Sequence, residues 1–291
     1  MRTAARVARL RARAVELAPR APGYPYASVV LSRDRRHGGG LLAGALAFRL
    51  FGALLPLALL VAVLLGYAAT VDRAAAEEAG KATGISQPLL ASVAESSKLN
   101  GGTRWVVGLT SVIALLWAAN SAARAIRAVH SIAWHGSVGR YRRPLPAALG
   151  LLAVVAACAL VFGVAGRARA EYGVVGLLIT VASFGAFFAV WLAAERLLPH
   201  GEAPWRALVP GAALFAVGVQ LVHLVTALFI AGRVERASET YGSLGVAFTL
   251  LLWLYVISRV IVASAMLNAA LWEQRGEAGA AQPGRTRPQA T

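Results

Sequence analysis

The chain has 291 residues, of which 58% are hydrophobic and only 14% are charged, whereas soluble domains carry about 25% charged residues. This composition argues against a water-soluble enzyme or a free nucleic-acid-binding protein, although 29 basic residues outnumber 13 acidic ones. The single cysteine, Cys158, lies in an apolar stretch, which excludes a disulfide framework and a cysteine-based metal site.

A basic arm of 40 residues precedes the first apolar stretch. Its early arginines recur on one helical face beside apolar residues, which predicts an amphipathic helix on an anionic membrane surface. An organellar transit peptide would look similar and is the alternative interpretation. The glycines at positions 38–40 predict a flexible joint between this arm and the first span.

Six long apolar stretches follow, and each reaches the roughly 20 residues that a helix needs to cross a bilayer. They cover residues 41–70, 105–127, 144–166, 172–198, 207–231 and 242–271. Most of these stretches lack the polar face that helices of a large soluble protein have. None shows the alternation of apolar and polar residues that is typical of strands in a membrane barrel. We therefore predict an all-α polytopic membrane protein, with six transmembrane helices in a bundle over residues 41–272. The Gly-, Ala- and Arg-rich residues 273–291 predict a disordered tail.

The distribution of basic residues predicts the orientation of the bundle. Segments on the side of both termini carry 19 Lys and Arg residues, whereas the alternate connections carry 8. Because cytoplasmic loops are enriched in basic residues, we expect both termini to be cytoplasmic.

The sequence contains no pattern that predicts catalysis. No two of its five histidines are four residues apart, and it lacks nucleotide-binding, zinc-protease and nucleophile-elbow motifs. No acidic residue lies at the centre of a span, whereas a two-metal nuclease needs several converging ligands. We therefore predict no catalytic residue, no metal site and no cofactor, and a membrane-bound enzyme such as a nuclease is the least favoured alternative.

Arginines within or beside the spans are candidate anion contacts, because a charge at the bilayer centre costs about 2.5–3.5 kcal/mol on insertion scales. Arg49, in the first span, either reaches the cytoplasmic headgroups or faces the bundle interior. Asn120, Arg124 and Arg127 share one face near the cytoplasmic end of the second span. They form either an ordinary membrane anchor or a headgroup site, because arginine offers phosphate a planar fork.

Polar side chains in the last two spans form a candidate intramembrane cluster, comprising Gln220, His223, Tyr255 and Ser258. Interhelical hydrogen bonds are one interpretation and a proton relay through His223 is the other. Arg259 lies roughly 26 Å along the helix from Gly242, with no acidic residue expected at that depth. We expect its charge to be offset by Tyr255, Ser258, a backbone carbonyl, water or a substrate anion, and it is the strongest candidate anion contact.

The sixth stretch contains the blocks YGSLG, LLWLY and LNA, which resemble a signature of the YihY/BrkB family of bacterial inner-membrane proteins. An aromatic residue followed by a proline in the first span, and a Pro-Gly pair opening the fifth, are similar to that family's pattern. The positions that carry the resemblance are Phe48, Pro56, Pro210, Gly211, Tyr241, Gly242, Ser243, Gly245, Trp253, Tyr255 and Asn268. Met266 and Ser264 depart from it, because the family commonly has glutamate and glycine there.

The resemblance implies six spans in a bacterial inner membrane with cytoplasmic termini. Members of the family have carried a ribonuclease label, are associated with virulence or serum resistance, or export a lipid A precursor. With the intramembrane arginines, this indicates a transporter or lipid-handling protein for an anionic lipid or glycolipid of the cell envelope. Its expected partners are membrane lipids and anionic headgroups at the cytoplasmic face, without nucleic acid. A non-transporting envelope scaffold is the alternative, and protein partners and homo-oligomers stay open.

Overall fold

A computed structural model of the protein describes residues 24–71, 101–135, 144–172, 176–225 and 231–280. The predicted amphipathic helix in the first 20 residues, most of the connection between the first two spans, and residues 281–291 lie outside these ranges. The described residues form helices and no strands, which confirms the all-α prediction. The helices are α1 (Tyr24–Arg36), α2 (Gly39–Val71), α3 (Gly101–Ala133), α4 (Pro144–Tyr172), α5 (Gly176–Leu197), α6 (Val209–Val225) and α7 (Ala231–Ala280), with a 3-10 helix at Trp205–Leu208.

Helices α2 to α7 are each long and apolar enough to cross a membrane, so six spans are confirmed. The spans are Gly39–Val61, Trp105–Ala133, Leu145–Gly166, Leu178–Leu197, Trp205–Val225 and Ala247–Arg275. Large apolar side chains such as Phe48, Trp117 and Leu160 are exposed on the outside of the bundle. A surface of this kind is stable against lipid and would be unfavourable in water.

The six spans pack in chain order around the bundle, and α7 closes the ring by packing against α2. Small residues make the contacts close: Ala43, Ala122, Ala212 and Ala269 are buried where helices meet. Without a hydrophobic driving force in lipid, close packing of small residues is a main source of helix association. Helix α7 touches α1, α2, α3 and α6, so it is the central element of the fold.

Both ends of the predicted membrane domain differ from the structure. The glycines at positions 38–40 do not form a flexible joint, because a turn at His37 and Gly38 leads directly into α2 at the buried Gly39. At the other end, α7 continues to Ala280, so the prediction of a tail disordered from residue 273 is wrong for residues 273–280. Glu273 pairs with Arg33 of α1, and this contact fastens α7 beyond the predicted boundary.

Candidate functional site

The arginine-rich end of the bundle gathers most of the candidate residues, and we call it the basic end. It is formed by α1, by the C-terminal ends of α3, α5 and α7, and by the N-terminal ends of α2, α4 and α6.

Arg259 of α7 forms an ion pair with Asp34 of α1. Its two terminal nitrogens donate to the two carboxylate oxygens at 2.9 and 3.0 Å. The side chain of Asp34 is 14% exposed and that of Arg259 is 33% exposed. The expectation that no acidic residue would reach Arg259 is therefore wrong, because α1 folds back onto α7 and supplies the counter-ion from another part of the sequence.

Gly39 leaves the space that this ion pair occupies. A Cβ atom built on Gly39 would lie 1.8 Å from Asp34 Oδ1 and 3.2 Å from an Arg259 nitrogen. Because no side chain fits at such distances, glycine at the first position of α2 is a steric requirement of the pair.

Arg33 forms the second connection between α1 and the bundle. Its guanidinium pairs with Glu273 of α7, donates to the Ala133 carbonyl at the end of α3 at 2.5 Å, and lies 3.1 Å from His135 Nε2. The side chain of Arg33 is almost fully buried. Adjacent residues of opposite charge thus fix α1 to two spans.

The candidate anion contacts of the first two spans do not form one stripe. Arg49 is exposed and donates to the Ser121 carbonyl at 2.9 Å. Arg124 is exposed, whereas Arg127 is half-buried and its guanidinium lies 3.5 Å from the Leu197 carbonyl of α5. Asn120 is half-buried, and its amide oxygen has no hydrogen-bond partner among the described residues. Arg49 and Arg127 therefore each contact a neighbouring span, and Arg124 is exposed.

Arg127 borders a cavity of about 290 Å³ between α3, α4 and α5 at the basic end. The lining is mainly apolar and includes Pro146 and Gly150 of α4, and Trp191 and Leu197 of α5. An apolar hollow with one cationic side chain can hold hydrocarbon and attract an anionic group beside it.

Glu195 lies in the last turn of α5 and is only 1% exposed. Trp191 donates its indole N–H to Glu195 Oε1 at 3.0 Å, and Asn268 donates its amide to Oε2 at 2.9 Å. The Trp191 ring stacks on Phe215 with 4.0 Å between centroids. The cavity wall at Trp191 is thus fixed by a buried carboxyl group and by an aromatic ring of α6.

Asn268 and Gly211, two positions that carry the family resemblance, are in direct contact. The Gly211 N–H donates to Asn268 Oδ1 at 2.6 Å. A Cβ on Gly211 would lie 2.3 Å from the Asn268 amide nitrogen and 2.6 Å from the Ser264 carbonyl oxygen. Together with the Glu195 contact, Asn268 links α5, α6 and α7 through one buried amide.

The structure separates the four polar side chains that were predicted to cluster in the last two spans. Gln220 donates to Ser183 of α5 at 2.8 Å, and the His223 ring lies 5.2 Å from that of Phe162. Tyr255 packs beside α2 and α3, and the buried Ser258 hydroxyl has no hydrogen-bond partner among the described residues.

The remaining family positions whose side chains the structure describes are packing or lipid-facing residues. Phe48 is exposed, Pro56 lies buried within α2, Pro210 and Trp253 are half-buried, and Gly245 is buried in α7. The structure does not describe the side chains of residues 241–243. Met266, where the family commonly has glutamate, is fully buried in an apolar cluster with Ala43 and Val129. The buried members of that cluster offer no polar side chain to a glutamate.

Asp34, Glu195 and Trp191 were not among the predicted site residues. Asp34 lies in the basic arm, and Glu195 stands next to Arg196 near a predicted span end, so both resemble ordinary surface residues in the sequence. A usable signal was the spacing of Trp191 and Glu195, because residues four apart share one helical face.

These observations define the class: an all-helical membrane protein of six spans, whose basic end holds half-buried ion pairs and an apolar cavity. A family model described as "Virulence factor BrkB" matches residues 30–289, and the chain belongs to this BrkB virulence factor family. The search of the curated proteins and that of the solved structures find no match.

Proposed function

We propose that the protein handles an anionic envelope lipid, holding part of its apolar tail in the cavity between α3, α4 and α5. Arg127 contacts the phosphate or another anionic group of the lipid. The observation that carries this proposal is the position of the Arg127 guanidinium at the border of an otherwise mainly apolar cavity.

The size and lining of the cavity favour a lipid over a polar metabolite. Its volume of about 290 Å³ lies near the lower end of the range of about 300–1,000 Å³ typical of ligand pockets. It therefore fits a segment of an acyl chain and leaves the headgroup at the basic end. Polar metabolites need several hydrogen-bonding groups, and apart from Arg127 and the Trp191 indole the lining side chains are hydrocarbon.

Arg127 replaces Arg259 as the leading anion contact. The guanidinium of Arg259 already has both carboxylate oxygens of Asp34 as partners and does not line the cavity, whereas Arg127 lies at the border of the cavity. An arginine fork beside an apolar surface suits a lipid phosphate.

The proposal includes a location and a type of activity. We place the protein in a bacterial inner membrane with its basic end towards the cytoplasm, because basic residues favour that side. The activity is lipid transport or lipid positioning without covalent chemistry, cofactor or nucleic acid. Within the described residues, no three His, Cys, Asp or Glu side chains are grouped to hold a metal ion.

The test is leaflet-resolved lipid analysis of a deletion strain that carries either the wild-type protein or a variant. Arg127→Met keeps the apolar part of the side chain, and we expect it to reproduce the lipid change of the deletion. Arg124→Met is the matched control, because Arg124 lies on the same helix but is exposed away from the cavity. Equal lipid profiles in the deletion and wild-type strains would refute the proposal.

A second pair of variants tests the cavity itself. No atom lies within 4 Å of a Cβ atom built on either Gly150 or Gly163 of α4, but only Gly150 lines the cavity. Gly150→Leu should fill the cavity and abolish lipid handling. Gly163→Leu should leave lipid handling unchanged. If both variants and Arg127→Met keep lipid handling at wild-type abundance, Arg127 only packs the bundle and the cavity is not the lipid site.

A further inference from the structure

The buried carboxyl group of Glu195 has only neutral hydrogen-bond partners. The Trp191 indole lies at 3.0 Å and the Asn268 amide at 2.9 Å, and the Ser264 hydroxyl is a third neutral partner. An ionised carboxylate in an apolar interior normally has a cationic partner or a metal. Among the described residues, the structure gives Glu195 no ion pair.

The charged and titratable groups on neighbouring elements are directed elsewhere. On α3, Arg127 contacts the Leu197 carbonyl and His130 contacts the Ile126 carbonyl. His200 contacts the Leu198 carbonyl, and Arg196 and Arg206 lie over the Trp205 ring. On α7, Arg259 pairs with Asp34 and Glu273 pairs with Arg33, while α4 contributes Cys158, packed against the apolar core.

Trp191 and Asn268 differ in whether they have an alternative hydrogen-bond partner to Glu195. Asn268 is fixed at both ends, because its oxygen accepts from Gly211 while its nitrogen donates to Glu195. The Trp191 N–H has a second acceptor, since the Ser264 hydroxyl oxygen lies 3.2 Å away. Trp191 also forms part of the cavity wall. A change at Glu195 is therefore transmitted to the cavity through Trp191.

We propose that Glu195 is a proton-binding site that couples proton uptake to the occupancy of the cavity. The carboxylate accepts a hydrogen bond on each oxygen, but a protonated carboxyl group carries a donor on one oxygen. When the proton binds Oε1, the Trp191 N–H passes to Ser264 and the indole moves against the cavity. This inference rests on the proposed lipid function and identifies the ion that drives it.

The test uses the purified full-length protein in vesicles of phosphatidylethanolamine and phosphatidylglycerol. Infrared difference spectra on acidification should contain a carboxylic-acid C=O band that Glu195→Gln removes. Glu202→Gln is the matched control, because Glu202 is an exposed carboxylate nearby in the chain, and it should keep the band. Trp191→Phe should shift the carboxylate band that disappears on acidification, because the ionised Glu195 then lacks one donor. This shift decides the assignment even if Glu195→Gln fails to fold.

Coupling is measured in the same vesicles with a fluorescent phosphatidylglycerol, with and without an imposed pH gradient. The gradient should accelerate transbilayer movement with the wild-type protein and Glu202→Gln, but not with Glu195→Gln. A difference spectrum that neither Glu195→Gln nor Trp191→Phe changes overturns the proton site. Transbilayer movement that the pH gradient does not accelerate overturns the coupling. If the probe moves no faster with the protein than without it while the band behaves as expected, the lipid function fails and the proton site stands.

Discussion

Asp34 and Arg259 lie 225 residues apart in the chain and form a two-pronged ion pair, with one hydrogen bond to each carboxylate oxygen. Paired forks of this kind fix direction as well as distance. The pair therefore sets the angle at which α1 meets α7, next to the start of the first span.

Breaking this pair should destabilise the bundle. We expect Asp34→Asn and Arg259→Met each to lower the free energy of unfolding in detergent by about 1–3 kcal/mol, because each leaves a half-buried charge without its partner. The double variant should cost less than the sum of the two, since it leaves neither charge behind. Arg35→Gln, an exposed change on the same helix, is the control, and strictly additive losses would show that the pair contributes nothing.

Gly39→Ala should displace Asp34. The new methyl group would overlap the carboxylate, and overpacking typically costs about 1–3 kcal/mol. Gly52→Ala on the same helix meets no atom within 4 Å and should leave the thermal unfolding temperature unchanged or raise it slightly. Equal unfolding temperatures for the two variants would contradict the steric role of Gly39.

Gly211→Ala should disrupt the contact between α6 and α7. Its methyl group would meet the Asn268 amide and a backbone oxygen of Ser264, and backbone cannot move aside as a flexible side chain can. We expect a loss of about 2–4 kcal/mol, combining overlap with the unmet hydrogen bonds of Asn268. Gly185→Ala on α5, where a Cβ has free space, is the control. Unfolding in detergent, followed by tryptophan fluorescence, measures both.

The orientation of the bundle can be tested with two exposed positions. In a variant with Cys158→Ala, Thr103→Cys at the start of α3 should react with an impermeant thiol reagent added to intact cells. Glu202→Cys, at the basic end between α5 and α6, should react only after the cells are opened. The reverse pattern would place the basic end outside.

Composition and apolar length were sufficient to predict the helical class and the number of spans. Both depend on the local sequence, because a helix in lipid must satisfy its own backbone and present apolar side chains over a fixed thickness. The family positions Gly211 and Asn268 were identified from the sequence as well, although their contact became evident only when α6 and α7 were seen packed together.

The partners of the polar residues could not be predicted. Helical periodicity placed Arg124 and Arg127 on one face, but in the packed bundle Arg124 is exposed and Arg127 reaches the Leu197 carbonyl of α5. Arg259 lies within a span while Asp34 lies in the arm, and no local pattern connects them. Such pairings depend on how helices far apart in the chain come together, and a single sequence carries no direct record of that.

Helix α7 has 50 residues and therefore runs roughly 75 Å along its axis at 1.5 Å per residue. A bilayer with its headgroups is only about 40–45 Å thick, so this one rod projects well past the lipid. Sixteen residues precede its span at Ala247, and they place roughly 24 Å of helix on the side opposite the basic end. A change in the tilt of this projecting segment would also displace Asn268, Ser264 and Arg259, which lie on the same helix. One continuous helix thus connects the far side of the membrane to the residues that pack the basic end.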